Sequence, residues 1–377
     1  SAAKVEPNEA SYSIAISAFG KHGLVEEAGK LLSELKDSGL EATAEACSSV
    51  AHACLQAERL DEAVAWLGKM REAGLPMDAV AYTIAINACA RSGRPLQANR
   101  LLEELDACGL QADAVTYSAV ANAWAKVSRA DEAIRVLKRM RGKGILPNEV
   151  MLGTVLNACA RSRRPDLAIE VFEDVVGAGV PPNATCFNCI INSLAQQARY
   201  EDAIAWMARM REAGIPPDSI SYSGAMNACA RAGRSEEALG LLDEMRSRGV
   251  ARTVVCYSCA VSACARDHRL EEAAACFDRM GADGVAPDFM MYFHAVVACQ
   301  QPSPPRGDVA VGLLRRMASQ GLHPNERMAG VVSGIVGEEA FAQLRADLGF
   351  AVLPRGQGAA QGLSGARAAQ QRSIQKK

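Results

Sequence analysis

The chain has 377 residues, 49% of them hydrophobic and 22% charged, a globular balance that excludes disorder as a whole. Only 3 Trp, 7 Tyr and 8 Phe serve that length, which argues against one large core built on aromatic anchors and for helix rich in Ala, Leu and Met. Formal net charge is -2, yet Arg355, Arg367, Arg372, Lys376 and Lys377 lie in an acid-free tail, so residues 1–350 carry 36 basic against 43 acidic side chains, net -7. A binder gripping polyanions through net charge alone is excluded, and any nucleic-acid role has to rest on where the charges sit.

The chain opens Ser1-Ala2-Ala3, without Met or a signal-like apolar block, and reads as a mature or trimmed fragment whose residues 1–7 form a flank. No stretch approaches eighteen uninterrupted apolar residues, so no membrane partner is expected. From residue 8 a period takes over. Gly39, Gly74, Gly109, Gly144, Gly179, Gly214, Gly249 and Gly284 are spaced by 35 residues, and Gly321 follows after 37. Ala28, Ala63, Ala98, Ala133, Ala168, Ala203, Ala238 and Ala273 keep the same register, with Ala310 again after 37. Nine repeats result, starting at Asn8, Thr43, Asp78, Asp113, Asn148, Asn183, Asp218, Thr253 and Asp288.

Each repeat predicts two helices. In the one from Asp78, Val80 to Ala90 has helical apolar spacing behind an Asp suited to N-capping and stops near Ser92-Gly93; Leu96 to Leu105 is a second amphipathic run ending at Gly109, a C-cap glycine. Pro147, Pro182, Pro217, Pro287 and Pro324 stand just before the next start, where a helix cannot continue. One hairpin cannot bury both apolar faces, so neighbours must stack. The expected fold is all-α: a right-handed α-solenoid superhelix of helix-turn-helix repeats, its groove lined by first helices that small residues such as Ala53, Ala88 and Ala123 allow to approach. Gln301-Pro302-Ser303-Pro304-Pro305 lengthens the ninth turn, 325–350 reads as a C-terminal cap, and 351–377 as a disordered basic tail.

The period of 35 and four motifs resemble the pentatricopeptide repeat family. They are V-x-Y-[ST] (Val80-Ala81-Tyr82-Thr83, Val115-Thr116-Tyr117-Ser118), E-E-A (Glu26-Glu27-Ala28, Glu236-Glu237-Ala238), the M-R-x-x-G helix end (Met70-Arg71, Met210-Arg211, Met245-Arg246) and a closing P-[ND] (Pro147-Asn148, Pro217-Asp218). The resemblance covers about residues 7–325 and implies single-stranded RNA binding, one nucleotide per repeat, in mitochondria or plastids, with the chloroplast slightly favoured. It implies that the sixth residue of a repeat and the first of the next read a base. Those pairs are Ser48 with Asp78, Thr83 with Asp113, Ser118 with Asn148, Asn188 with Asp218 and Ser258 with Asp288; by analogy a hydroxyl with Asp selects G, a hydroxyl with Asn selects A, and Asn with Asp selects U. Repeats two to eight then favour 5′-GGAnUnG-3′. Ser13 with Thr43, Gly153 with Asn183, Ser223 with Thr253 and the ninth repeat's Phe293 are unassigned.

The third residue is, in the family, an apolar wedge against bases: Val80, Val115, Val150, Ile220, Val255 and also Met290 fit, while Ala10 and Glu45 do not. From the residues alone, plain helix-start core packing is the alternative for these valines, and ordinary N-capping the alternative for the first-position Asp and Asn. The aromatic series Tyr12, Tyr82, Tyr117, Phe187, Tyr222, Tyr257 and Tyr292, two residues from the wedge, is expected in the inter-helix core. Position fourteen holds Lys21, Arg91, Lys126, Arg161, Arg231 and Arg266, and Gln56, Gln196 and Gln301 in the other repeats. One cation per repeat suits one phosphate per nucleotide, with a salt slope of roughly -4 for six contacts; cation placement against a helix dipole is the alternative.

No cofactor, metal or catalysis is expected. The C-x-x-C pairs Cys186/Cys189 and Cys256/Cys259 fall two repeats apart, and Cys54, Cys89, Cys159, Cys229, Cys264 and Cys299 at position twelve read as small buried hydrophobes in a reducing compartment. None of the five histidines forms an H-x-E partner to a C-x-x-C, and no phosphate loop or G-x-S-x-G occurs. The expected function is a sequence-selective RNA-binding adaptor in organellar RNA stability, processing, editing or translation, with protein partners supplying any catalytic activity. The alternative is a helical scaffold for protein–protein interaction, which the negative charge favours.

Overall fold

The computed structural model describes residues 8–40, 43–72, 74–300, 305–350 and 352. The chain forms two compact bodies divided after Pro182. Among the described residues there are twenty helices and no strand. The first body holds α1 (Glu9–Lys21), α2 (Val25–Asp37), α3 (Ala44–Gln56), α4 (Leu60–Glu72), α5 (Ala79–Arg91), α6 (Pro95–Ala107), α7 (Ala114–Lys126), α8 (Ala130–Gly142), α9 (Glu149–Arg161) and α10 (Pro165–Gly177). The second holds α11 (Ala184–Gln196), α12 (Tyr200–Glu212), α13 (Ser219–Ala232), α14 (Ser235–Ser247), α15 (Val254–Arg266), α16 (Leu270–Ala282), α17 (Phe289–Ala298), α18 (Gly307–Ser319), α19 (Glu326–Val336) and α20 (Glu338–Leu348).

Within each body the helices form an α-solenoid. The first helix of a repeat packs on the first helix of the next, as α5 does on α7 and α13 on α15, and each second helix packs on its own partner and on the following first helix. The periodic alanines explain the closeness. Ala63, Ala98, Ala133, Ala203 and Ala238 have no exposed surface, nor do Ala53, Ala88, Ala123, Ala228 and Ala263. The first helices α1 and α3 run so near that a Cβ on Gly20 would stand 2.7 Å from the main-chain oxygen of Ser49. Ala18, at the corresponding place in the first repeat, is exposed because no described helix precedes it.

Two turns recur with the period. After each second helix, exemplified by Gly109 at φ 72°, the chain enters the left-handed region; Leu110 N–H returns to Leu105 O at 3.2 Å, a Schellman closure that uses up a terminal carbonyl. Between the two helices of a repeat, position sixteen is also left-handed. Gly23, Gly93 and Gly233 serve there, but so do Glu58, Ser128, Arg163, Ala198 and His268, at φ 55–59°. The sequence carried no hint of that second strained site, because five of its eight occupants are not glycine.

Charge is largely spent between repeats. Arg94 reaches Asp61 at 2.5 Å, Arg164 reaches Asp131 at 2.6 Å and Arg269 reaches Glu236 at 2.9 Å, each linking position seventeen to position nineteen of the preceding repeat. Each exposed pair contributes about 0–1 kcal/mol. The expected turn at 301–304, the flank 1–7 and all but Leu353's neighbour Val352 of the 351–377 tail lie outside the described residues; α19 opens on Asn325 with the same capping bond as the earlier first helices.

Candidate nucleic-acid interface

On a helix, positions three, six, ten and fourteen fall on one face, because steps of three and four residues return to the same side. The side opposite is the core. Tyr117, Tyr222 and Tyr257 at position five have no exposed surface, while the residues two places earlier stay out: Val80, Val115, Val150, Ile220 and Val255 are 57–61% exposed and Met290 39%. Core packing of the valines is therefore ruled out, and the aromatic series is buried from Tyr82 to Tyr292, with Tyr12 of the first repeat only partly covered. One exposed apolar side chain stands at this position on each of these first helices.

The first residue of a repeat is a helix N-cap. Asp78 Oδ1 accepts Ala81 N–H at 2.8 Å, Asp113 Oδ1 accepts Thr116 N–H at 2.8 Å, Asn148 Oδ1 accepts Met151 N–H at 2.9 Å and Asp288 Oδ1 accepts Met291 N–H at 2.9 Å. Thr253 makes no such bond. The capping alternative is thus correct as local structure, but it does not exhaust these side chains. In every one of the four, the helix takes a single oxygen. Among the described residues Asp78, Asp113 and Asp288 accept no bond at Oδ2, and Asn148 makes none through Nδ2. An Asp therefore keeps a free acceptor and an Asn a free donor.

Sixth-position side chains stand one helical turn further in. Thr83 and Ser118 donate back to Ala79 O and Ala114 O at 2.8 and 2.7 Å. Three sixth residues are joined to the next repeat's first residue. Ser13 meets Thr43 directly at 3.0 Å; Thr83 meets Thr116 Oγ1 at 2.8 Å, which donates to Asp113 Oδ1 at 2.7 Å; Asn188 Nδ2 donates to Asp218 Oδ1 at 3.3 Å. Asp218 Oδ1 also accepts from Ile220 and Ser221 N–H, and the Ser221 hydroxyl, 2.9 Å away, lies between it and Asn188 Oδ1 at 2.6 Å. Burial works against ionising Asp218, but these bonds from Ser221, Asn188 and Ile220 outweigh it and hold its carboxyl below the ordinary range. No bond among the described residues joins Ser48 to Asp78, Ser118 to Asn148, or Ser258 to Asp288. Phe293, in the unassigned ninth repeat, is buried under Arg327, 5.0 Å from its ring centre.

The position-fourteen cations are exposed yet engaged. Arg91 Nη1 donates to Leu55 O at 3.0 Å, Lys126 Nζ to Ala90 O at 3.2 Å, Arg161 Nη2 to Lys126 O at 2.8 Å, Arg231 Nη1 to Gln196 O at 3.2 Å and Arg266 Nη1 to Arg231 O at 3.2 Å. Each of these cations thus stands in the last turn of its own helix and donates to a carbonyl in the last turn of the preceding repeat's first helix. Lys21 opens the series, with no first helix before it among the described residues. Arg231 and Arg266 line one shallow depression with Gln196, Asn227, Ser262 and His294. That depression reveals a row the sequence reading missed: position ten is Asn in five consecutive repeats, Asn87, Asn122, Asn157, Asn192 and Asn227, between base-side and cation-side residues. Its recurrence at the 35-residue period was the signal.

The position-twelve thiols are buried, and burial pushes Cys89 up to about 11 and Cys229 up to about 12, so both stay protonated. Among the described residues no three of His, Cys, Asp and Glu gather as a metal site, and no helix is long and apolar enough to cross a membrane.

Comparison with known proteins adds the following. A family model described as "Pentatricopeptide repeat-containing protein" matches residues 1–98 and 149–280, a "PPR repeat family" model matches 77–126 and a "PPR repeat" model matches 115–145. No curated protein matches the sequence. Among solved structures, the pentatricopeptide repeat protein PPR10 from maize is similar at 21% identity and TM-score 0.55, covering 92% of this chain and 55% of that one. PPR10 in complex with an 18-nt psaJ RNA element is similar at 21% identity and TM-score 0.54, covering 92% and 56%. The chain thus spans little more than half the length of these structures.

Proposed function

This chain belongs to the pentatricopeptide repeat family, and from that premise we propose that it binds single-stranded RNA, one nucleotide per repeat, as a sequence-selective adaptor acting on an organellar transcript. The observation that carries the reading is the capping geometry. Because the helix N-terminus consumes one oxygen of each first-position side chain, Asp is left with an acceptor and Asn with a donor. The back-bonded hydroxyls of Thr83 and Ser118 offer lone pairs.

Base edges complement these sets. Guanine carries adjacent donors at N1 and N2, which suit two acceptors, as in Thr83 with Asp113. Adenine pairs an N6 donor with an N1 acceptor, which suits Ser118 with the amide of Asn148. Uracil offers a carbonyl and the N3 proton, which suit the Asn188 amide and the Asp218 carboxylate, whereas cytosine sets a lone pair against that carboxylate. The exposed Val80, Val115, Val150, Ile220 and Val255 supply the apolar contact for base faces, and the remaining donors of Arg91, Lys126, Arg161, Arg231 and Arg266, with Lys21, reach phosphates. The first body reads G-G-A and the second U-n-G.

The test is binding of a fluorescent 5′-GGAnUnG-3′ RNA against scrambled controls at fixed salt. Preference for the ordered sequence by more than about tenfold is expected. Equal, negligible binding to both would reject the base assignments and leave the groove to a protein partner, the scaffold reading that the net charge of -7 over residues 1–350 favours.

A further inference from the structure

Sixth and first residues do not act alone. At two places a third side chain joins them: Thr116 between Thr83 and Asp113, and Ser221 between Asn188 and Asp218. Both are fourth residues of their repeats, both are fully buried, and neither can touch a ligand.

Proton accounting defines what they do. Carboxylate and carbonyl oxygens only accept. The single hydroxyl proton of Thr116 goes to Asp113 Oδ1 at 2.7 Å. The Thr83 proton then has two internal acceptors, Ala79 O and Thr116 Oγ1, each at 2.8 Å, and whichever it takes, Thr83 turns lone pairs outward. Ser118 differs: Met151 occupies the fourth position of its following repeat, so its proton has the Ala114 carbonyl alone and can swing out.

In the second body the amide is held from both sides. Asp218 accepts from Asn188 Nδ2 at 3.3 Å, and the one Ser221 hydroxyl proton, with Asp218 Oδ1 at 2.9 Å and Asn188 Oδ1 at 2.6 Å in reach, goes to the nearer amide oxygen. A turned amide would set its oxygen against the carboxylate, so the two contacts select one orientation. What remains for a ligand is the second Nδ2 proton.

We propose that the fourth-position hydroxyl is a specificity-setting positioning residue. Thr116 commits Thr83 to accept, sharpening guanine over adenine at the third repeat's nucleotide; Ser221 commits Asn188 to donate, sharpening uracil over cytosine at the sixth's. The inference deepens the proposed function and rests on it. Ser48 with Asp78, across Ala81, and Ser258 with Asp288, across Met291, lack the device and discriminate less.

Thr116→Val and Ser221→Ala remove the hydroxyls with little change of shape. Affinities are measured for RNAs differing only at the second, third or sixth repeat's nucleotide. The expected result is a G-over-A ratio at the third that falls about three- to tenfold in Thr116→Val and returns in Thr116→Ser. The U-over-C ratio at the sixth falls likewise in Ser221→Ala and returns in Ser221→Thr, and the second repeat's preference stays put. A partly unfolded variant lowers every affinity alike and leaves these ratios untouched. Ratios unmoved in both variants overturn the inference. If Thr83→Ala and Asn188→Ala then erase the preferences, base reading stands and only the fourth-position role falls; a wild-type protein with no preference at either nucleotide removes both.

Discussion

The guanidinium of Arg161 donates to the main-chain oxygen of Lys126 at 2.8 Å, so a cation in one repeat closes the last turn of the helix before it. The same side chain is exposed, and under the proposed function its remaining donors meet a phosphate. The helix-closing role and the proposed phosphate contact can be separated because Gln already occupies this position at Gln56 and Gln196.

Arg161→Gln keeps an amide donor for the carbonyl and removes the charge. The thermal midpoint is expected to stay within a degree or two, while the log-log salt slope of RNA binding becomes shallower by about 0.7. An unchanged slope would show that the cation serves the helix end alone.

Asp78→Asn retains the N-cap, since either side chain offers Oδ1 to Ala81 N–H, and costs no more than a few tenths of a kcal/mol. It exchanges the outward acceptor for a donor. The second repeat's preference is expected to move from G toward A, read by competition between oligonucleotides that differ at that nucleotide. A preference that stays with G would break the link between capping and readout.

Val115 and Tyr117 are two residues apart and face opposite ways. Val115→Ala removes a side chain that is 58% exposed, so it leaves stability within about 0.5 kcal/mol while weakening RNA binding severalfold. Tyr117→Ala empties a fully buried site and costs about 3–5 kcal/mol. Denaturant titrations of the two variants, with anisotropy alongside, check the contrast.

Arg163 holds φ 55°, a conformation that an L side chain adopts only at a cost. Arg163→Gly, and Glu58→Gly in the second repeat, relieve it. Each is expected to raise stability by up to about 1 kcal/mol despite glycine's greater freedom when unfolded. A lower melting temperature in both would mean that side-chain contacts at these turns outweigh the backbone strain.

The repeat, its helices and its inter-repeat turns were legible in the residues because each rests on a local requirement. Gly109 marks a left-handed helix end and Ala98 a contact with no room for bulk, and both recur wherever that requirement does. The direction of Val115 was not settled by its type: it is an apolar residue heading a face that continues in the polar Ser118, Asn122 and Lys126, and packing of α7 between α5 and α9 decides that this face stays out of the core. Nor was the left-handed Arg163, since nothing in its type announces positive φ.

The polar pairs divide in the same way. Residue types at positions one and six limited which hydrogen bonds each repeat could offer, for an Asp cannot donate and a capping Asn cannot turn its oxygen outward. Only the tertiary structure brings Thr116 under Thr83, Ser221 against Asn188, and Arg161 onto the carbonyl of Lys126. Those contacts join residues 33 to 35 apart in the chain, and their distances depend on how closely successive first helices stack, which side-chain packing sets and no single repeat encodes.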